Sequence, residues 1–468
     1  MAKHFLPFDL NQPFLLPPDL REWLPERHLA RFVLDVVDAL DLSKLMAAYL
    51  KNNDRGRAGY HPKMLLGLVL YGYCTGTRSS RQIERKTYED VAYRVLSGNQ
   101  HPDHDSIANF RQRHLELIAK LFVQVLRLCQ EAGLVKLGNV AIDGTKMKAN
   151  ASKHKAMSYD RMNETEKRLV AEVKALLESA ARSDAEEDAR FGKGKRGDEL
   201  PEELGRRESR LVKIRAAKAA LEKEAKEQAE REAAEAMAKN EKRRRQEEAT
   251  GKKVGGRPAQ VPDADKAVPK PKAQRNFTDP ESRIMKDGAT KGFEEAYNAQ
   301  AAVDSAAQII VATALTQEAN DKKQLVSMVL KVEEQAGALP ESASADAGYF
   351  SEAAVTDPRL AQVALLVPPD RQKHGQPEAV PNDPIPADAP VIDKMREKLR
   401  SPEGHAIYKL RKQVVEPVFG QIKEARGIRR FSFRGLRKVT AEWDIICLTH
   451  NLLKLFHKGA GWRATAAT

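Results

Sequence analysis

The chain has 468 residues, 41% hydrophobic and 31% charged, with a formal net charge of +13. That length accommodates two or three domains with real cores. The charge favours an anionic partner, for which nucleic acid is the commonest candidate, although a merely basic protein would look the same. The longest apolar stretch, residues 64–74, is too short to cross a bilayer. The opening Met1-Ala2-Lys3-His4 leads into prolines and acids, so no signal peptide is expected. Cys74, Cys129 and Cys447 are far apart and lack metal-ligand spacing. Cys74 and Cys129, inside apolar helical patterns, read as buried free thiols, and a reducing compartment fits.

Residues 1–135 read as helices. Pro17-Pro18-Asp19-Leu20 starts one, and Leu29, Phe32, Val33, Val36 and Val37 form a helical apolar stripe. Pro62 opens another, Ser79 to Glu84 resembles a capped start, and Asp105-Ser106 caps a fourth. That fourth helix carries Arg111, Arg113 and His114 near its beginning. A short helix, a turn and a basic helix suit a DNA major groove. A plain helical bundle with charged exteriors fits the same pattern.

A strand is expected over 137–149. From about 155 to 250 the chain is rich in Ala, Glu, Lys and Arg. Leu169, Val173, Leu176 and Leu177, then Leu211, Ile214, Ala217, Leu221 and Ala225, mark two amphipathic helices. Gly192, Gly194, Gly197 and Pro201 separate them, which predicts a coiled-coil-like helical hairpin. Residues 250–274 read as a flexible linker. Strands resume at 297–304 and 308–312 as a hairpin, with Asp304 at its turn, and Asp279 before Pro280 reads as a helix cap. A helix over 324–335, a strand reaching Asp346, a further helix and a strand over 363–367 follow. Residues 368–390 are a proline-rich loop and the carboxy-terminal part is helical. His374, His405 and His450 show no ligand spacing and read as structural.

The expected fold class is α/β. A catalytic domain (136–154 and 275–458) is interrupted by a helical insertion with its linker (155–274) and preceded by an all-α domain (1–135).

Three carboxylates stand out. Asp143 ends the run Val140-Ala141-Ile142, Asp346 follows Ser342-Ala343-Ser344-Ala345, and Glu416 lies in a helix-like segment, residues 408–423. Phosphodiester chemistry can use two Mg²⁺ about 3.5–4 Å apart on such acids, two on strands and one on a helix. Each acid alone has an ordinary reading: Asp-Gly is commonly a turn, and Glu416 could be a surface residue. The surroundings of Glu416 weigh the other way. Lys412, Glu416 and Lys423 fall near one helix face, Gly420 leaves it open, and Val415, Val418, Phe419 and Ile422 form the apolar side. Arg426, Arg429, Arg430, Arg434, Arg437 and Lys438 follow, interleaved with Phe431 and Phe433. A basic run with aromatics beside a carboxylate suits DNA contact.

The chain resembles bacterial insertion-sequence transposases of the DDE type, whose RNase H-like fold is shared with retroviral integrases. The resemblance rests on residues 140–146, Tyr297-Asn298-Ala299-Gln300 with Asp304, Ala345-Asp346-Ala347-Gly348-Tyr349 and residues 415–423. The amino-terminal helices resemble the DNA-binding domain usual in this group. The resemblance implies that Asp143, Asp346 and Glu416 bind two Mg²⁺, with Mn²⁺ as a substitute, and catalyse end cleavage and strand transfer. It implies that Tyr408, Arg411 and Lys423 touch DNA phosphates, although the spacing leaves open whether Arg411 or Lys412 takes the arginine's part. Expected partners are double-stranded DNA, both element ends and target, and a second copy of the chain. A structure-selective nuclease, a catalytically inactive DNA-binding relative and a helical scaffold are the alternative readings.

Overall fold

The computed structural model describes residues 19–50, 59–191, 202–287, 292–370, 386 and 388–459. The proposed start at Pro17-Pro18, the glycines between the two long helices, His374 and most of the proline-rich loop lie outside them.

A 3-10 turn at Leu20–Trp23 opens the described chain. Seven helices follow: α1 (Leu29–Ala39), α2 (Ser43–Leu50), α3 (Pro62–Cys74), α4 (Ser80–Glu89), α5 (Val91–Leu96), α6 (His104–Ala119) and α7 (Leu121–Glu131). Then come β1 (Asn139–Lys148), β2 (Ala156–Ser158), α8 (Tyr159–Phe191), α9 (Glu202–Thr250), β3 (Gln274–Asn276), β4 (Arg283–Lys286), β5 (Phe293–Asp304) and β6 (Ile309–Thr316). The chain ends through α10 (Gln324–Ala336), β7 (Ser342–Ser344), α11 (Glu352–Val355), β8 (Ala364–Leu366), α12 (Val391–Arg400), α13 (Pro402–Gly420) and α14 (Leu436–Lys458).

Two compact units result, residues 1–148 with 297–468 and residues 149–296. The amino-terminal helices, set apart in the sequence reading as 1–135, therefore share a unit with the sheet. The reason is α14. Trp443, Ile445, Ile446, Cys447, Leu448, Leu452 and Leu455 are buried around its circumference. One side packs on β6, and others pack on α3, α6 and α7. A helix apolar all round must be enclosed. Asn451 reinforces the join: its Oδ1 accepts the Ile310 N–H and its Nδ2 donates to the Ile310 carbonyl, both at 2.8 Å. Cys74 and Cys129 are buried and free, as expected, and so is Cys447.

Within this unit the strand order runs β6-β5-β1-β7-β8. β5 and β6 form the antiparallel hairpin read from the sequence, and β1-β7 and β7-β8 are parallel. Asp304 sits at the hairpin turn, where its Oδ1 accepts the Ala306 N–H. Its Oδ2 also accepts from Lys136 and Leu137, which fixes the chain entering β1.

Several local expectations need correction. Helix α6 is capped two residues early, by Asp103, which accepts the Ser106 N–H at 2.8 Å. Ser79 precedes α4 without a capping bond from its side chain. Asp279 starts no helix; its carbonyl closes a turn onto the Ser282 N–H.

In the second unit α8 and α9 pack together as an antiparallel pair. Met162, Leu169, Leu211, Ile214, Ala217 and Leu221 form their core. Glu166 pairs with Arg215 and Lys218, and Tyr159 donates to Glu222, contacts that descend α9 as they climb α8. Strands β2 and β3 pair beneath them. The expected apolar face frays upward, since Leu177 is exposed. The segment after α9 is tied to that helix: Asn240 exchanges two bonds with Ala259, Glu247 accepts the Val254 N–H, and Lys226 pairs with Asp265. Its proline and glycine content marked the loss of helix, not the side chains that catch it.

Two buried groups predict how stability depends on pH. Burial pushes the Asp444 carboxyl up to about 6, against the opposing Thr313 hydrogen bond and the Lys331 charge. Ionising it in the fold therefore costs stability, a cost absent below the unfolded value near 4 and complete above about 6. Asp444→Asn should raise stability at pH 7.5 by about 1–3 kcal/mol in urea titrations, and the gain should vanish by about pH 4. Burial depresses the His450 imidazole to about 3. Stability should thus fall as pH drops below about 6.5, at up to about 1.4 kcal/mol per pH unit, a slope His450→Gln should flatten.

Candidate functional site

The site is set by strand register. Strands β1 and β7 pair in parallel with Asn139 beside Ser342, Val140 beside Ala343 and Ala141 beside Ser344. The same step carried two residues further sets Asp143 level with Asp346. Asp143 lies inside β1, so its Asp-Gly is strand and no turn. Asp346 stands just past β7 and caps a 3-10 turn, Ala347–Tyr349, by accepting the Gly348 N–H at 2.9 Å. The Asp143 carboxyl is pushed up to about 6, by burial first; the Asp346 charge pushes the same way and Arg411 opposes both.

Helix α13 packs across β1 and β7. Arg411 is buried and its Nη1 donates to Asp143 Oδ2 at 3.2 Å, with the Tyr408 ring 6.0 Å from its guanidinium. Lys412 is exposed. The residue that reaches the first acid is thus Arg411, the one with four residues before Glu416. Pro417 has no N–H to offer the Gln413 carbonyl one turn back. Gln308 supplies the missing donor from the β5–β6 turn at 2.9 Å. Gln308 is further fixed by Lys454 Nζ on its side chain and His450 Nε2 on its carbonyl. A π turn, Gln421–Ala425, continues α13 and brings Lys423 Nζ to the Lys146 carbonyl at 2.9 Å.

Glu416 is exposed on α13, on the Lys412 and Lys423 side away from the buried Val415, Val418 and Ile422. No contact joins it to Asp143 or Asp346 among the described residues, and no three His, Cys, Asp or Glu side chains there converge on a metal position. Asp143 and Asp346 still make a hard-oxygen donor pair with excess negative charge. That chemistry fits Mg²⁺ or Mn²⁺.

Five residues not predicted for the site stand around it. Asp321, between β6 and α10, accepts Asn298 Nδ2 and Gln300 Nε2, each at 2.6 Å. Lys146 Nζ is 4.0 Å from Asp321, and the Tyr349 hydroxyl donates to Gln300. Four of these lie in the sequence stretches quoted for the resemblance. Asp321 sits in a loop with no periodic signal.

The basic run divides. Lys148 N–H donates to the Arg429 carbonyl at 3.2 Å and Phe431 N–H to the Lys148 carbonyl at 2.9 Å, which ties the run to the end of β1. Arg429, Arg430, Arg434, Arg437 and Lys438 are exposed. Arg429 pairs with Glu424 and Arg437 with Glu116. Arg426 is buried, its guanidinium on the Ile446 carbonyl and Thr449 hydroxyl, so it belongs to the core. Phe431 is buried against Tyr297, and Phe433 carries the Arg111 guanidinium. Neither ring is a free stacking platform. In α6, Arg111 also donates to the Arg78 carbonyl and His114 is buried. Only Arg113 of the three groove candidates is exposed.

Two family models match the chain, one described as a transposase domain (DUF772) over residues 18–113 and one as a transposase DDE domain over residues 387–456. The second contains Tyr408, Arg411 and Glu416 and stops short of both aspartates. No curated protein and no solved structure matches.

Gly144 is where the Asn298, Gln300 and Asp321 side chains leave no room. A Cβ there would stand 2.8 Å from Asp321 Oδ1 and 3.0 Å from Asn298 Oδ1, and closer still to Gln300 Nε2. Gly144→Ala should cost about 1–3 kcal/mol in urea unfolding. Gly420→Ala, whose Cβ would meet nothing within 4 Å, should be neutral or stabilising.

Proposed function

The chain belongs to the insertion-sequence DDE transposases, and on that premise we propose that it cuts DNA at the ends of its element and joins the freed strands to target DNA. The observation that carries this reading is the level placement of Asp143, on β1, and Asp346, just past the end of the parallel neighbour β7, beneath α13. Three parallel strands beside an antiparallel hairpin support an RNase H-like reading of the sheet. Asp143 and Asp346 would hold the divalent metal, with Glu416 reaching the same centre from the helix. The chemistry a bound metal pair supplies is activation of the attacking oxygen and neutralisation of charge at the leaving one.

The chain's own residues hold the geometry. Arg411 fixes Asp143 Oδ2 by a charge-assisted bond. Lys423, held on the Lys146 carbonyl, sits where the α13 face meets β1. Water attacks phosphorus at the element end, and the 3′ oxygen leaves as a hydroxyl. That hydroxyl then attacks a target phosphodiester and displaces its 3′ oxygen. No protein nucleophile is required. Tyr408, Lys412, Arg429, Arg430, Arg434, Arg437 and Lys438 are the proposed phosphate contacts, because affinity for a duplex comes largely from cations on phosphates. The amino-terminal helices are proposed to bind the element ends, and two copies to join the pair of ends on bacterial cytosolic DNA.

A labelled duplex of element end and flank, incubated with Mg²⁺, tests the chemistry. Asp143→Asn, Asp346→Asn and Glu416→Gln should each slow nicking by on the order of 100-fold or more, about 2.7 kcal/mol, while duplex binding persists. Wild-type rates in all three would sink the triad. Hydrolysis without joined products would leave a nuclease. Arg430→Ala with Lys438→Ala should weaken duplex binding and reduce the slope of log affinity against log salt by about 0.9 per lost contact.

A further inference from the structure

One polar chain runs from outside the three acids into the turn that carries Asp346. Asp321 Oδ1 accepts from both Asn298 Nδ2 and Gln300 Nε2 at 2.6 Å. The far end of the Gln300 amide is engaged too, because its Oε1 accepts the Tyr349 hydroxyl. Tyr349 is fully buried. Its own N–H donates to the Asp346 carbonyl at 3.1 Å, and the Asp346 carboxylate accepts from Gly348 in the same turn. The path Asp321–Gln300–Tyr349–Asp346 is therefore continuous.

Its direction follows from the donor inventory. A carboxylate oxygen accepts, so Asp321 Oδ1 draws the Gln300 nitrogen toward itself and turns Oε1 to the tyrosine. Asn298 shows that this orientation is enforced. Its Nδ2 serves Asp321 and the Glu318 carbonyl, while its Oδ1, fully buried, has no hydrogen-bond partner. Such an orphan costs stability, and flipping the amide would only set oxygen against carboxylate. A network maintained at that cost beside two acids fits a demand on geometry more than one on stability.

We propose that Asp321 is a positioning residue for the metal-holding acids, acting through Gln300 and Tyr349 to fix the turn that presents Asp346. This rests on the reading of Asp143 and Asp346 as metal-holding groups. Outer partners of metal ligands typically influence metal affinity by about 10–100-fold.

The test is Mn²⁺ binding by the full-length protein without DNA, read from the electron paramagnetic resonance of free Mn²⁺, with urea unfolding in parallel. Wild type should bind, and Asp143→Asn should bind at least about tenfold more weakly. Tyr349→Phe, which keeps the buried ring, and Asp321→Ala should each weaken binding by about tenfold or more. The double variant should be no weaker than the worse single one, because both cut the same path. Wild-type affinity in Tyr349→Phe would overturn the proposal even if Asp321→Ala failed to fold. Losses that add in the double variant would also overturn it, since they mean separate routes. Absence of Mn²⁺ binding by the wild-type protein would bring down the metal reading itself. Binding lost in Asp143→Asn but intact in Tyr349→Phe and Asp321→Ala would bring down this inference alone.

Discussion

Helix α14 must be enclosed on every side, and the larger unit is arranged to do it. Burying a large aliphatic side chain is worth about 1.5–3 kcal/mol, and this helix carries seven large apolar residues among its buried positions. Its polar groups are spent on neighbours. Trp443 Nε1 donates to the Gln300 carbonyl at 3.0 Å, and Asn451 meets both backbone groups of Ile310. Buried Glu442 accepts from the Tyr73 hydroxyl and from the N–H groups of Ser432 and Phe433. The helix thus orders the amino-terminal bundle, the hairpin edge of the sheet and the start of the basic run together.

The acid pair depends on that order. Parallel register brings two aspartates 203 positions apart in sequence to one level, and α13 must lie over them for Arg411 to reach the first. Gln308 anchors that helix at the carbonyl that Pro417 frees, and it is itself pinned by two side chains of α14. A proline that weakens the helix internally therefore becomes an attachment point. The polar path from Asp321 approaches the second aspartate from the other direction, so each of the two acids has its own support.

The second unit follows simpler rules. Its two long helices bury a stripe at spacings of three and four and carry ion pairs elsewhere. The extended segment after α9 is held by polar side chains of that helix, which supply the backbone partners a loop lacks by itself.

By itself the sequence determined the elements whose burial pattern is local. Apolar spacing at 29–37, 62–74, 211–221 and 443–455 specified helices, and short runs ending at turn residues specified β1, β5 and β6. The run Ser342 to Ala345 that ends at Asp346, and the basic and aromatic surroundings of Glu416, marked candidate acids. What only the tertiary structure decided was partnership across distance. Whether Arg411 or Lys412 meets Asp143 depends on which side of α13 is buried against β1. Whether Arg426, Phe431 and His114 face a ligand or the core depends on distant neighbours: α14 for Arg426, Tyr297 for Phe431, and the Tyr49 and Phe110 rings for His114. Asp321 has no local signal at all, since its role is set by two amides on β5 that fold beside it. Register, burial and hydrogen-bond direction are properties of packed neighbours, and residues far apart in the chain become neighbours only when it folds.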